Sequence, residues 1–392
     1  MRKLVFIILI GLPFYSVANP NDSSRIFNAI ALTSSSNFTI GSTHLPINFF
    51  NRLYFGGFID ENEKGKISSV NKIQRSGLEI DVNIGVDLFQ NKNKGWYINF
   101  QNIITSGAQY NQGLFDLILR GNTEFNENIS LGKTAFHFRN HQLFQFGKFN
   151  QKIKYGITIG NIIQENNGQF GRNDFINFSN PYEWNIIASP NMYSIPNTNN
   201  FIKKNGNSLG INFKISEKIK DLNTLKYNFE IKNLGLILLH NNIEKINFDT
   251  SFTYSGLSIE QMLNLNDSSN VFNNILNPKP FSENMFLMTP FEFNANIILN
   301  KNKMKYYSGI YYRHNSQYIP KIYFGLNIRN NHKLNFGSIL SYGGYNKFQL
   351  GINSEYQINN LRVNLILQNF LGLIPSTGKS FGIFLKLSWE IK

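Results

Sequence analysis

The feature that most restricts the fold is a period-two alternation of apolar and polar residues, recurring along the chain in long runs. In "GLEIDVNIGVDLFQ", Leu78, Ile80, Val82, Ile84, Val86 and Leu88 fall on one face and Glu79, Asp81, Asn83, Gly85 and Asp87 on the other, because successive strand side chains point to opposite faces. The turn "NKNKG" follows, and Trp96, Ile98 and Phe100 continue the apolar face in a returning arm, which predicts a long hairpin. The same grammar fills the C-terminal third in "FEFNANIIL", "MKYYSGIYYR", "KIYFGLNIR", "KLNFGSILSY", "KFQLGINSEYQ", "LRVNLILQ" and the closing "SFGIFLKLSWEIK". Runs of about 9–11 residues match membrane barrel strands, since ten residues at about 3.3 Å each cross an apolar band about 25 Å tall. Soluble strands centre on about 5–6 residues. The expected fold is therefore an all-β, antiparallel transmembrane barrel with short helices in its loops.

Direction gives a second argument. With Lys392 placed in the periplasm, the connections at 300–303, 330–332 and 359–360 fall on the periplasmic side, and those at 255–290, 314–319, 343–345 and 370–379 fall outside. The first set is short and the second mostly longer, as in outer-membrane barrels. Further strands are expected at 50–58, 129–138, 141–149, 154–163, 207–216, 226–239 and 245–254, for about 16 in all within a range of about 12 to 16. "NQGLFDLILRGN" reads as a short helix stopped by Gly121, and "SGLSIEQMLNLNDSS" as a second capped by Ser258. The Asn- and Pro-rich segment 164–206 falls on the periplasmic side by the same rule, in conflict with short periplasmic turns.

The opening residues have the three parts of a secretory signal: Arg2 and Lys3, an apolar stretch from Leu4 to Tyr15, and the small-x-small site Ser16-Val17-Ala18. Removal of 1–18 by the Sec route leaves one barrel domain, 19–392. The chain has no cysteine, which excludes a lipoprotein anchor and a disulfide framework. No later run of 18 apolar residues occurs, which excludes a helical membrane protein. The net charge of +14 is scattered singly and lacks the clustering of a nucleic-acid surface. Basic loops are compatible with anionic lipid and lipopolysaccharide.

Enzyme chemistry finds no support. His44, His137, His141, His240, His314 and His332 form no metal-binding motif, and there is no nucleophile elbow or phosphate-cradling loop. His137 and His141 flank an "RN" that reads as a turn, which makes them solvated turn histidines. Neither catalytic residue, metal nor cofactor is expected. In a barrel, the face carrying Glu79, Asp81 and Asp87 points to the lumen, together with Lys214, Arg329, Arg362, Lys386 and Glu390. Such charges either shape selectivity or pair up to plug the interior. Phe144 and Phe146 share one face of "HQLFQFGKF", which lines either an interior groove or the lipid surface. Trp389, Tyr312 and Tyr356 lie near strand ends, as aromatic girdles do.

"GLFDLILRGNTEF", "KYGITIGN" and "FEIKNLGLILLHNN…FTYSGLSIEQML", followed by the closing strand, resemble in this order a group of uncharacterised outer-membrane barrels from Bacteroidota. That group is distantly similar to the long-chain fatty-acid transporter barrels and to the barrel adaptor of the type IX secretion system. The best matches are Arg120-Gly121-Asn122 and Leu234-Gly235. The resemblance implies about 14 strands. "NPNDSS" keeps only the first two letters of the transporters' plug motif, so no functional residue carries over. Two functions are expected: a channel or transporter for small molecules, hydrophobic ones included, or a scaffold docking a secretion or surface complex. The spacing of Ser380, Gly382, Leu385, Leu387 and Trp389 is similar to the C-terminal signal read by the barrel-assembly machinery.

Overall fold

The computed structural model describes residue 27 and residues 29–391, apart from 62–63, 66–72, 92, 121–127, 181–182, 196–204, 220–221, 241–242, 248–249, 255–278, 282–283, 330–332 and 375. Fourteen antiparallel strands close into a ring. In chain order they are β1 (Ala29–Ser42), β2 (Ile73–Asn91), β3 (Lys94–Asn111), β4 (Ala135–Phe149), β5 (Ile153–Gln169), β6 (Gly206–Ile219) and β7 (Leu222–Leu239). They continue with β8 (Glu292–Lys301), β9 (Met304–Arg313), β10 (Ile319–Arg329), β11 (Leu334–Gly344), β12 (Asn346–Ile358), β13 (Leu361–Leu367) and β14 (Ser380–Ile391). Each strand pairs with its neighbours in sequence, and β14 closes the ring on β1 from Ile30 opposite Ile391 to Gly41 opposite Ser380. Closure leaves no unpaired edge, the condition for spanning a bilayer with strands.

The barrel prediction holds, with the strand number that the resemblance implies rather than the residue-based count. The segments 129–138 and 141–149 do not form two strands: β4 runs continuously, and Arg139-Asn140 is no turn but lies beside a register shift at which Ile163 of β5 is the extra residue. Residues expected as a strand at 50–58 fold instead into helix α1 (Ile47–Phe55). The segment 245–254 lies outside the ring, split between the short strands Ile243–Asn247 and Thr250–Tyr254. Taking 245–254 out of the ring reverses the direction of β7 and β6. The connection 170–205 therefore joins the long connections, and the conflict over the 164–206 segment disappears.

At the end where the chain enters β1 and leaves β14, the connections are 92–93, 150–152, 220–221, 302–303, 330–333 and 359–360. At the other end they are 43–72, 112–134, 170–205, 240–291, 314–318, Tyr345 and 368–379. We call these the inner and outer ends. Helix α2 (Gln112–Arg120) confirms the first helix expected in the sequence; the second falls on residues 255–278, outside those described. At the outer end a small four-stranded sheet buries Ile129 and Ile176 with Leu117 of α2. Phe49 of α1 packs against Phe115 of α2.

The wall is the reverse of a soluble protein. Ile84, Phe100, Phe144, Ile159, Ile211, Ile322, Phe336 and Leu340 are exposed on its outside, an apolar surface far larger than water-soluble monomers leave uncovered. Phe144 and Phe146 belong to this lipid-facing surface, while Leu143 and Gln145 are buried on the lumen side. Trp389 and Tyr356 are exposed toward the inner rim, and Tyr312, next to β9's last residue, packs edge-on against Phe291 toward the outer one.

Candidate functional site

The inward rows of these strands are polar, so the site is the lumen itself. Its inner half holds a cavity of 310 Å³ lined by Asp81, Asp87, Lys154, Lys214, Glu230 and Lys386, with the amides of Asn83, Asn99, Gln101, Gln145 and Asn212 between them. Lys154 Nζ lies 3.5 Å from Asp87 and 3.9 Å from the centre of the Tyr97 ring. Lys214 is 3.4 Å from Glu230. Gln101 Nε2 donates to both Asp81 oxygens, at 2.9 and 3.0 Å. The lysines remain wet, with side-chain exposures of 34% for Lys154 and 42% for Lys214. Lys386 is exposed and makes no ion pair among the described residues.

A second cavity of 350 Å³ adjoins the first toward the outer end, and Asp81, Lys232 and Phe384 line both. Tyr307, Tyr311, Tyr318, Tyr323, Ile339 and Ile366 supply its rings and much of its apolar lining, among polar side chains that include Glu79, Glu292, Asn294 and Lys321. Glycine shapes this chamber: a Cβ at Gly325 would overlap the Tyr307 ring, so only glycine lets that ring lie against the wall. The ring's hydroxyl accepts from Asn353 Nδ2 at 3.2 Å, and Tyr323 donates to Asn294 at 2.8 Å.

Above the chamber an ion pair crosses the lumen. Arg313 at the end of β9 reaches Glu79 on β2 at 2.8 Å, and those strands stand opposite one another in the ring. The same Nη2 lies 2.7 Å from Glu292, its register partner on β8, and 3.1 Å from the Tyr311 hydroxyl. Asn37 Nδ2 donates to Glu79 at 2.8 Å. The loop 314–318 folds inward over this bridge. Ser316 is 1% exposed, its hydroxyl donates to the Arg313 carbonyl at 3.0 Å, and its carbonyl accepts from Tyr345 at 2.9 Å. Arg139 donates to the Asn315 carbonyl and lies 2.6 Å from Glu165, which also meets His141 at 3.2 Å. Tyr345 lies flat over Gly77, where any side chain would overlap its ring. Arg139, His141, Glu165 and Arg313 are all buried.

The sequence-predicted residues divide accordingly. Glu79 belongs to the closure, Asp81 to both cavities, and Asp87, Lys214 and Lys386 to the inner cavity. Arg329, Arg362 and Glu390 continue inward rows at the exposed inner rim and line neither cavity; Arg362 lies 3.3 Å from Glu355. His137 and His141 are not solvated turn residues but buried members of β4. No group of three residues suited to a metal occurs among the described residues.

Ser380 is buried and its hydroxyl accepts from Asn346 and Asn369, each at 2.8 Å. Gly382 lies inside β14, while Leu385, Leu387 and Trp389 are exposed on the wall's outer face. Arg120 ends α2, while Gly121 and Asn122 lie outside the described residues. Leu234 and Gly235 follow a bulge in β7, where Asn233 has φ 56° and its N–H donates to Asn212 at 2.7 Å. A Cβ at Gly235 would overlap the backbone of β6, so this motif shapes the wall.

Reading alternation alone missed Arg313, Arg139, Glu165 and Tyr345. In "MKYYSGIYYR" both faces carry tyrosines, so the pattern does not say which one turns inward.

No family model and no curated protein matches the chain. Among solved structures, it is similar to a TodX mutant, a monoaromatic hydrocarbon channel, at 8% identity and a TM-score of 0.43, covering 94% of this chain and 90% of that one. The Ralstonia pickettii toluene transporter TbuX gives 6% identity and a TM-score of 0.42, covering 93% and 90%. A Pseudomonas aeruginosa FadL homologue gives 9% and 0.40, covering 92% and 90%. Likenesses this distant say nothing about what the lumen of this chain holds, so the functional reading rests on its own geometry.

Proposed function

We propose that the protein is an outer-membrane channel for small molecules, hydrophobic ones included, closed at its outer mouth in the state described. One observation carries this reading. Inside a closed barrel with an apolar exterior, the lumen is not packed solid but holds two adjoining cavities, with the Arg313–Glu79 bridge crossing it on their outer side. A scaffold needing only a rigid wall gains nothing from such space, whereas a solute path requires it. The test is solute uptake into proteoliposomes and single-channel recording with purified protein. A barrel impermeable in the wild type and in Arg313→Ala, yet retaining secretion-system partners, would replace this reading by the docking scaffold.

The same proposal covers biogenesis: export by the Sec route with loss of residues 1–18, then folding into lipid and lipopolysaccharide by an assembly machinery that reads Ser380, Gly382, Leu385, Leu387 and Trp389. β14 is the seam, hydrogen-bonded to both β13 and β1. Truncation from Phe381 strips both neighbours of their partner and should abolish the heat-modifiable, membrane-fractionated form; normal levels of it would sink the idea.

A further inference from the structure

The tyrosine-walled chamber contains one cation that the closure does not use. Arg313 is taken by Glu79 and Glu292, and Lys232 lies 3.9 Å from Glu292. The chamber's carboxylates are likewise occupied, Glu79 by Arg313 and Asn37, Glu292 by Arg313 and Lys232, and Asp81 by Gln101. The Lys321 side chain has neither an ion pair nor a hydrogen bond among the described residues. Its ammonium sits 5.9 Å from the centre of the Tyr311 ring, within the range at which a ring face attracts a cation. A half-buried ammonium without an acceptor is poorly satisfied, and phenol rings offer flat apolar surface with polar tips. An apolar cavity with a few convergent polar groups is the usual form of a small-ligand site.

We infer that this chamber binds a small amphipathic molecule with an aromatic or compact apolar body, whose one acceptor oxygen, carboxylate or carbonyl, is held by Lys321. The body lies between Tyr307, Tyr311, Tyr323 and Ile339, and the head points toward β10. This deepens the channel reading, since it names what the lumen would select, and it rests on that reading only for its transport consequence.

The test uses the full barrel in detergent, with calorimetric titration of benzoate, benzamide and toluene. Benzoate and benzamide should bind more tightly than toluene. Lys321→Met should weaken both by about tenfold or more, the loss of one charge-assisted hydrogen bond, and leave toluene unchanged. Ile339→Trp, which fills the chamber while keeping its apolar character, should abolish all binding; heat-modifiable migration verifies that each variant is folded. Toluene binding as tightly as benzoate, indifference of benzoate to Lys321→Met, or no binding of any probe overturns the inference. Uptake into proteoliposomes separates the two readings: binding without flux removes the channel and leaves the site, whereas flux without binding removes the site alone.

Discussion

The two halves of the lumen are built from the same residue types and behave oppositely. At the outer end, Arg313, Arg139 and Glu165 are at most 3% exposed: Arg313 reaches Glu79 across the barrel, while Arg139 pairs with Glu165 on the neighbouring strand and donates to the Asn315 carbonyl of the loop 314–318. At the inner end, Lys154 and Lys214 pair with Asp87 and Glu230 at 3.4–3.5 Å but stay wet. Burial decides the difference. A desolvated ion pair is costly to break, because removing one partner strands a buried charge, while a hydrated pair is screened and contributes little. In the proposed channel the outer half is the closure and the inner half the vestibule.

The sharpest way to break this contrast is Arg313→Ala, which leaves Glu79 and Glu292 facing one another. A loss of about 3–5 kcal/mol in thermal or denaturant unfolding is expected, with a several-fold gain in single-channel conductance. An unchanged conductance would mean that the closure lies elsewhere. Next comes a pair of small-to-large changes. Gly77→Val displaces the Tyr345 ring and should cost about 1–3 kcal/mol. Ser35, which also lines the inner cavity, has open space beside it, and Ser35→Val should stay within about 0.5 kcal/mol. Equal penalties would show the two halves to be packed alike. Lys154→Ala, breaking a partly hydrated pair, should cost about 1 kcal/mol or less. The smallest effect on stability is expected for Lys386→Glu, which should move the reversal potential in a KCl gradient toward cation preference. That shift should shrink between 0.1 and 1 M salt, as the screening length falls from about 10 to about 3 Å; a shift indifferent to salt would mean that Lys386 is not in open water.

Much of the wall was legible because a barrel strand has one lipid face and one lumen face, so Leu78 to Leu88 declare their side by alternation alone. Alternation does not assign a side where both faces carry similar residues or where a strand is too short to enclose anything. "MKYYSGIYYR" presents tyrosines on both sides, and 245–254 has strand character but pairs outside the ring. The lumenal positions of Glu79, Asp81, Asp87, Lys214 and Lys386 could be read one strand at a time. Their partners could not, because Glu79 and Arg313 are 234 residues apart in the chain.

The sequence by itself determined the alternation, the length of the strands, the lack of a membrane-spanning helix among the described residues and the unequal connections, because these are local properties of side-chain period and turn chemistry. Only the tertiary structure decided that β2 faces β9, that Ser316 turns inward, and that Lys321 is left with no acceptor among the described residues. Those follow from closing the ring at 14 strands, and closure is a property of every strand at once.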